Sequence, residues 1–354
     1  MKTMPSITDI RLQSQQLAGT ALQTPRELLA WMGAMQAQDF NMAKWAVGVR
    51  LRKMKETDVM EAYSRGEILR THVLRPTWHF VAPENIRWML ALSAERIKSS
   101  SRSRDRELDI SEKLYDSSNE LIRKTLQGRQ LTRNELGQEL EKAGIMVNSA
   151  RLVHFMMRAE VEGIVCSGVP AGKEQTYALL NERAPRVPLI SKDEALAKLT
   201  RLYFTSHCPA TLADFAWWSG LSMTEARQGM DAVKQDFVAE TIGDKTYWIA
   251  NSFKNSALVA KSVYLLPAFD EYLISYTDRS AALDSEHHRK AVSSNGVFRP
   301  IIVVDGKIAG LWKKTQNKKQ PIALNFFPSQ PLPPADSINR AMEAVVAFYE
   351  HVHS

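Results

Sequence analysis

Only two cysteines, Cys166 and Cys208, occur in 354 residues, too few and too far apart for a zinc site. The eight histidines show no ligand spacing beyond the adjacent pair His287 and His288. Reduced thiols are therefore expected, with no structural metal and no cofactor. No window approaches the roughly 18 or more apolar residues of a membrane span, and residues 1–20 lack the apolar run of a signal peptide. The chain is accordingly expected in the cytoplasm, away from membranes. GxSxG, HExxH and a P-loop glycine pattern are also missing, which leaves nucleophile-elbow, zincin and nucleotide-hydrolysing chemistry without support.

What is present suits a soluble globular protein of two or three compact units: 44% hydrophobic and 24% charged residues, with 46 Lys+Arg against 39 Asp+Glu for a net charge of +7. The charge is concentrated. Residues 96–106 read RIKSSSRSRDR, with Lys98, Arg102, Arg104 and Arg106 among five cations interleaved with serines, and KKTQNKK follows at 313–319. Each is either a solvated linker or hairpin tip, or a polyanion-binding surface.

One pattern, helices followed by two short strands around a polar turn, occurs three times without residue-for-residue repetition. In the middle copy, Thr132 and Glu135 form a capping-box signature, SARLVHFMMRAEVEG is a second helix, and GIVCSGV and EQTYALL flank the turn PAGK. In the third, Thr211 caps ATLADFAWWSG, LSMTEARQGMDAV follows, and FVAETI and KTYWIA meet at Gly243 and Asp244. The first predicts helices over 9–17, 25–37, 42–52 and 57–64, a hairpin turning at Leu74 to Pro76, and a helix over 83–98 opened by Pro83. Helix, turn, helix and hairpin describe a winged helix. Such modules bind duplex nucleic acid, and some serve as protein-interaction modules instead. A linker is expected at 181–192. Beyond Lys261 the chain turns β-rich, with Asp305-Gly306 as a hairpin turn, before a helix over 337–352.

Two side chains stand out within WMGAMQAQDF at 31–40. Gln36 and Gln38 point about 200° apart on a regular helix and converge only if the helix stops or distorts there. One ordinary reading bonds one glutamine to backbone and the other to water. Asp39 fits as the cap of a helix starting near Asn41. Asp270 and Glu271, in AFDEY, read as general-base candidates or as caps and paired surface charges.

Taken together, GAMQAQDFNMAKWAVGVRL, LRTHVLRPTWHFVAPENIRWML, LLPAFDEYLISYTDRS and GVFRPIIVVDGKIAGLW resemble the AlkZ-like winged-helix DNA glycosylases, whose relatives include YcaQ, from about residue 9 to 350. The resemblance implies a mainly α fold with β: three tandem winged helices, over 1–108, 109–186 and 187–255, then a β-rich barrel-like domain with a closing helix over 256–354. It implies a basic channel for double-stranded DNA and a catalytic Gln-apolar-Gln motif, here Gln36-Ala37-Gln38. Where the family shows Arg-Gly-Thr-apolar-His in the first hairpin, this chain reads Arg75-Pro76-Thr77-Trp78-His79, and the proline removes an N–H and fixes φ at the tip.

The implied activity is monofunctional hydrolysis of the N-glycosidic bond of N-alkylated purines, including bulky or crosslinked ones, by a monomer that joins the nucleoid when bound to DNA. Gln36 and Gln38 would serve water and sugar, with Asp39 as an electrostatic candidate. Arg70, Arg75, His79, Lys98, Arg102, Arg104 and Arg106 would contact DNA. Lys44 is the one lysine beside the motif in sequence. Two other readings stay open: a non-enzymatic DNA-binding regulator on the same scaffold, and a protein-interaction scaffold with little duplex affinity.

Overall fold

The computed structural model describes residues 6–350 except 255, 318, 329 and 331. Lys318 of the second basic cluster, and His351 and Val352 at the end of the expected terminal helix, lie outside the described residues. The chain divides into two compact units, one from residues 1–60 and 196–354, the other from 61–195. These limits cut the expected stretches 1–108 and 187–255, because the chain leaves the first unit and returns to it inside helices.

The first unit opens with α1 (Ile7–Ser14) and α2 (Pro25–Met32). Ser6 with Asp9, and Thr24 with Glu27, form capping boxes, and Pro25 occupies the first helical turn, where a missing N–H costs nothing. A short strand, β1 (Ala34–Gln36), and α3 (Phe40–Gly48) follow, and α4 (Glu56–Ser64) carries the chain out of the unit.

In the second unit, β2 (Leu69–Val73) and β3 (Thr77–Val81) pair antiparallel, with Thr71 opposite His79 and Val73 opposite Thr77 around Leu74, Arg75 and Pro76. Helix α5 (Pro83–Glu107) runs on through the whole basic stretch, so RIKSSSRSRDR is helix and not a linker or hairpin tip. Ser100 and Ser101 donate back to the Ile97 carbonyl, and Ile97 and Asp105 are buried on the inner face. Next come α6 (Glu112–Thr125), β4 (Leu131–Thr132), α7 (Arg133–Lys142), α8 (Ser149–Val161), β5 (Val165–Ser167), β6 (Thr176–Leu179) and the short α9 (Leu180–Arg183). The Thr132–Glu135 capping box is formed, and Leu136, Leu140, Leu152, Phe155 and Met156 share one core with Tyr115 and Ile122.

The return is α10 (Lys192–Ser206), followed by α11 (Leu212–Ser219), α12 (Met223–Val233) and the hairpin β7 (Phe237–Ile242) with β8 (Lys245–Ala250). Its turn is at Gly243 and Asp244, with Ile242 opposite Lys245. Then β9 (Val263–Leu266), α13 (Glu271–Ile274), α14 (His288–Ala291), β10 (Ile301–Val304), β11 (Lys307–Lys314), β12 (Ile322–Phe326) and α15 (Ala335–Tyr349) complete the unit. The four strands form an antiparallel sheet in the order β12-β11-β10-β9, and no closed barrel is found among the described residues. Asp305 and Gly306 both take positive φ, 48° and 79°, the twist a two-residue hairpin turn requires. Among the described residues, no helix is long and apolar enough to cross a membrane.

Candidate functional site

Helix α2 stops at Met32, five residues short of the expected end at Ala37. Gly33 takes φ 78° and its N–H bonds to the Leu29 carbonyl, terminating the helix in a conformation that costs glycine little. A Cβ there would lie in ordinary van der Waals contact with Leu202 and the Trp218 ring, at 3.4 and 3.7 Å. Past this break the chain is extended over Ala34–Gln36 and bends at Gln38 and Asp39, so the two glutamines leave the helical geometry that would hold them about 200° apart. Gln36 is buried at 6% exposure, while Gln38 and Asp39 are exposed. Asp39 caps α3 as expected from the sequence, its Oδ1 accepting from the Met42 N–H at 3.0 Å, with the helix beginning at Phe40.

The motif is clamped from beneath by the AFDEY segment. Glu271 Oε1 accepts the Gln36 backbone N–H at 2.6 Å, and its Oε2 accepts from Trp218 Nε1 at 3.0 Å and from the Ser275 hydroxyl. His207 Nε2 lies 3.5 Å away, its ring stacked on Tyr203. Burial alone pushes the Glu271 carboxyl up, but His207, the Ser275 hydroxyl and the Gln36 N–H together hold it down to about 2. Burial lowers the His207 imidazole, against the pull of Glu271, which raises it.

Beside it, Asp270 forms a bidentate pair with Arg50, both contacts at 2.8 Å and both side chains inaccessible to solvent. Arg50 also donates to the Gln15 carbonyl and side chain at 3.0 and 3.1 Å, and Gln15 reaches the Tyr276 hydroxyl at 2.9 Å. Asp270 further caps α13 by accepting from the Tyr272 N–H. Neither acid is a surface charge. Asp270 is consumed in a buried ion pair and Glu271 in buried hydrogen bonds, so the general-base reading for them loses its access to water. Lys44 is buried and paired with Glu56.

In the second unit the hairpin is pinned to α8. Buried Glu160 accepts from the His72 backbone N–H at 3.1 Å, from the His72 ring and from Trp78 Nε1 at 3.4 Å. The Trp78 ring carries His72 on one contact at 4.4 Å and the Arg70 guanidinium at 4.3 Å. Arg75 sits half-buried at the tip and Pro76 is exposed, whereas His79 is 0% exposed with Nδ1 on the Thr77 carbonyl at 2.9 Å. His79 thus ties down the strand end.

On α5, Lys98, Arg102 and Arg106 recur every four residues and form one stripe. Arg102 and Arg106 are exposed, Lys98 is half-buried and paired with Glu95 at 2.5 Å, and Arg104 turns to another face to meet Glu107 at 2.6 Å. Glu160, Arg50, Gln15, His207 and Trp218 had no signal in spacing; only the doubled tryptophan at 217–218 and the doubled acid at 270–271 marked their surroundings. Among the described residues no group of three or more His, Cys, Asp or Glu side chains is arranged to hold a metal ion.

The sequence profile described as "DNA glycosylase AlkZ-like" matches residues 29–348. A protein of Streptomyces sahachiroi named "Interstrand DNA cross-link repair glycosylase" is 22% identical over 344 residues, 93% of this chain and 92% of that protein. The solved structure of the Streptomyces sahachiroi DNA glycosylase AlkZ has the same fold, with TM-score 0.84 over 98% of this chain and 97% of that one at 20% identity. With the profile spanning most of its length, across both the Gln36–Gln38 segment and the acids that clamp it, the chain belongs to the AlkZ-like DNA glycosylase family.

Proposed function

We propose that this DNA glycosylase is monofunctional and hydrolyses the N-glycosidic bond of N-alkylated purines in duplex DNA, bulky and interstrand-crosslinked adducts included. The observation that carries this reading is the pair of glutamines at a helix break, one buried with its backbone bonded to Glu271 and one exposed. Alkylation at N7 puts a positive charge on the purine and makes it a good leaving group without protonation. The enzyme then supplies a positioned water and stabilisation of the developing oxocarbenium charge. A carboxamide oxygen accepts from the water while its NH₂ orients the side chain, and a group this weakly basic leaves unmodified purines alone. Asp39 adds negative potential near the sugar. A helix-cap carboxylate remains an acceptor, so the two roles coexist.

DNA is proposed to lie against three winged-helix modules, with the β-rich C-terminal part completing a barrel-like support. Arg70 and Arg75 on the hairpin, and Lys98, Arg102, Arg104 and Arg106 on α5, neutralise phosphates. The name of the Streptomyces sahachiroi relative supports interstrand crosslinks as substrates.

The test is a duplex carrying a single N7-alkylguanine, incubated with the protein and with a no-protein control for spontaneous depurination. Free base and an alkali-labile site above the control are expected, falling to the control level with Gln36→Ala, Gln38→Ala. Wild-type release by that double variant removes the catalytic assignment. Tight duplex binding with no release across several adducts favours the regulator instead.

A further inference from the structure

Two consecutive indoles grip the two ends of one short helix. Trp218, buried, donates to the side chain of Glu271, the first residue of α13, at 3.0 Å. Trp217 donates to the carbonyl of Ile274, its last residue, at 2.8 Å. The anchors are three positions apart, a rise of about 4.5 Å. The other oxygen of Glu271 holds the Gln36 N–H. Trp217 is therefore fixed, through two hydrogen bonds and one helical turn, relative to the motif.

Yet Trp217 is 41% exposed. Its polar N–H is satisfied by the Ile274 carbonyl. Burial of that ring in the core is not what the fold uses it for; Trp218 does that, packing toward Gly33. Over the ring lies Arg279, whose Nε donates to the Leu273 carbonyl at 3.0 Å and Nη1 to the Thr277 carbonyl at 3.4 Å, with its guanidinium 5.8 Å from the Trp217 ring and 5.1 Å from that of Phe298. A fixed, part-exposed indole with a planar cation at its ring is the kind of arrangement on which nucleobases stack while a neighbouring phosphate is neutralised.

We propose that Trp217, with Arg279 beside it, is the platform that receives a nucleobase displaced from its stack at or next to the lesion; this rests on the glycosylase reading above. The indole supplies the stacking face and Arg279 the phosphate contact. The bond of the neighbouring Trp218 to Glu271 holds this end of α11 in register with Gln36, whichever ring stands at 217. Trp217 is thus a positioning residue, acting on the base and leaving bond cleavage to the motif.

The experiment reads stacking separately from catalysis. Duplexes carry a hydrolysis-resistant 2′-fluoro N7-methylguanine nucleotide, with 2-aminopurine placed 5′ to it, 3′ to it or opposite it. Wild-type binding should change 2-aminopurine fluorescence in at least one position. Trp217→Ala should abolish that change, and Trp217→Phe, which keeps a stacking ring but loses the bond to Ile274, should retain it. On hydrolysable substrate at saturating protein, Trp217→Ala should slow single-turnover release about tenfold and Trp217→Phe much less.

An identical fluorescence change in wild type and Trp217→Ala overturns the proposal, as does no change with wild type in any position. If Trp217→Phe fails equally with Trp217→Ala, the residue serves only to anchor α13 and the platform is refuted. Failure of the glycosylase reading is seen elsewhere, in the absence of wild-type base release above the no-protein control.

Discussion

The carboxylate of Glu271 accepts the backbone N–H of Gln36 at 2.6 Å across 235 positions of sequence. It does so with a side chain that is itself buried and bonded to Trp218 and Ser275. The position of the motif is therefore set from outside its own segment.

Replacing that carboxylate tests the clamp. Glu271→Gln keeps the shape but turns an NH₂ toward donors that need an acceptor, leaving at least one buried polar group unpaired at a cost of about 1–3 kcal/mol. Urea denaturation should show a loss of that size. Base release should fall as well, while affinity for undamaged duplex stays within a few-fold of wild type.

Acid should weaken the fold through the same cluster. Glu271 sits at about 2 in the fold against an ordinary 4.5, so the stability it contributes is present above 4.5 and is lost as pH falls from there toward 2. His207 is also lowered from its ordinary 6.5, so the unfolded chain takes up a proton first and stability declines as pH drops below 6.5. Denaturation midpoints measured from pH 7 to 5 should fall in wild type, and the slope should flatten in His207→Gln.

Gly33 is the residue that ends α2, and its φ of 78° is the reason. Gly33→Ala should destabilise by about 1–2 kcal/mol from the left-handed backbone alone. The added Cβ meets Leu202 at 3.4 Å, an ordinary contact, so the positive φ rather than a clash is what shifts the helix break. Single-turnover release should drop further than the stability change accounts for, and an unchanged rate would show that the break does not position the glutamines.

Hydrolysis without strand cleavage should leave no covalent adduct. Lys44 is tied to Glu56, which withholds its amine from attack on an aldehyde. Lys314 sits on the Tyr349 ring, where burial lowers its amine to about 8 while Glu56 pulls it up, Lys44 lowers it and Asp39 raises it. Borohydride added during turnover should trap nothing. A trapped complex that disappears in Lys314→Ala would replace the monofunctional reading with a Schiff-base mechanism.

Much of the local structure was legible. Thr132 with Glu135, Thr211, the Asp305-Gly306 turn and the hairpin tip at Leu74 to Pro76 lie where residue types place them, because caps and turns are decided by near neighbours. Helix α2 was read too long because Leu28, Trp31, Met32 and Met35 continue an apolar stripe past Gly33, and a stripe does not reveal a positive φ. The basic run was hard to read as helix for the opposite reason: only Ile97 and Asp105 within it turn inward. Asp270 and Glu271 looked like surface charges because their partners, Arg50 and Gln36, lie more than two hundred positions upstream.

That separation bears on how the protein is made. A ribosome delivers Gln36 and Gln38 early, and Asp270 and Glu271 only after the entire second unit has been synthesised. Until then the nascent glutamines have no carboxylate to close on. A message cut or stalled before codon 271 yields a polypeptide with every residue of the motif and without the carboxylate that holds the Gln36 N–H.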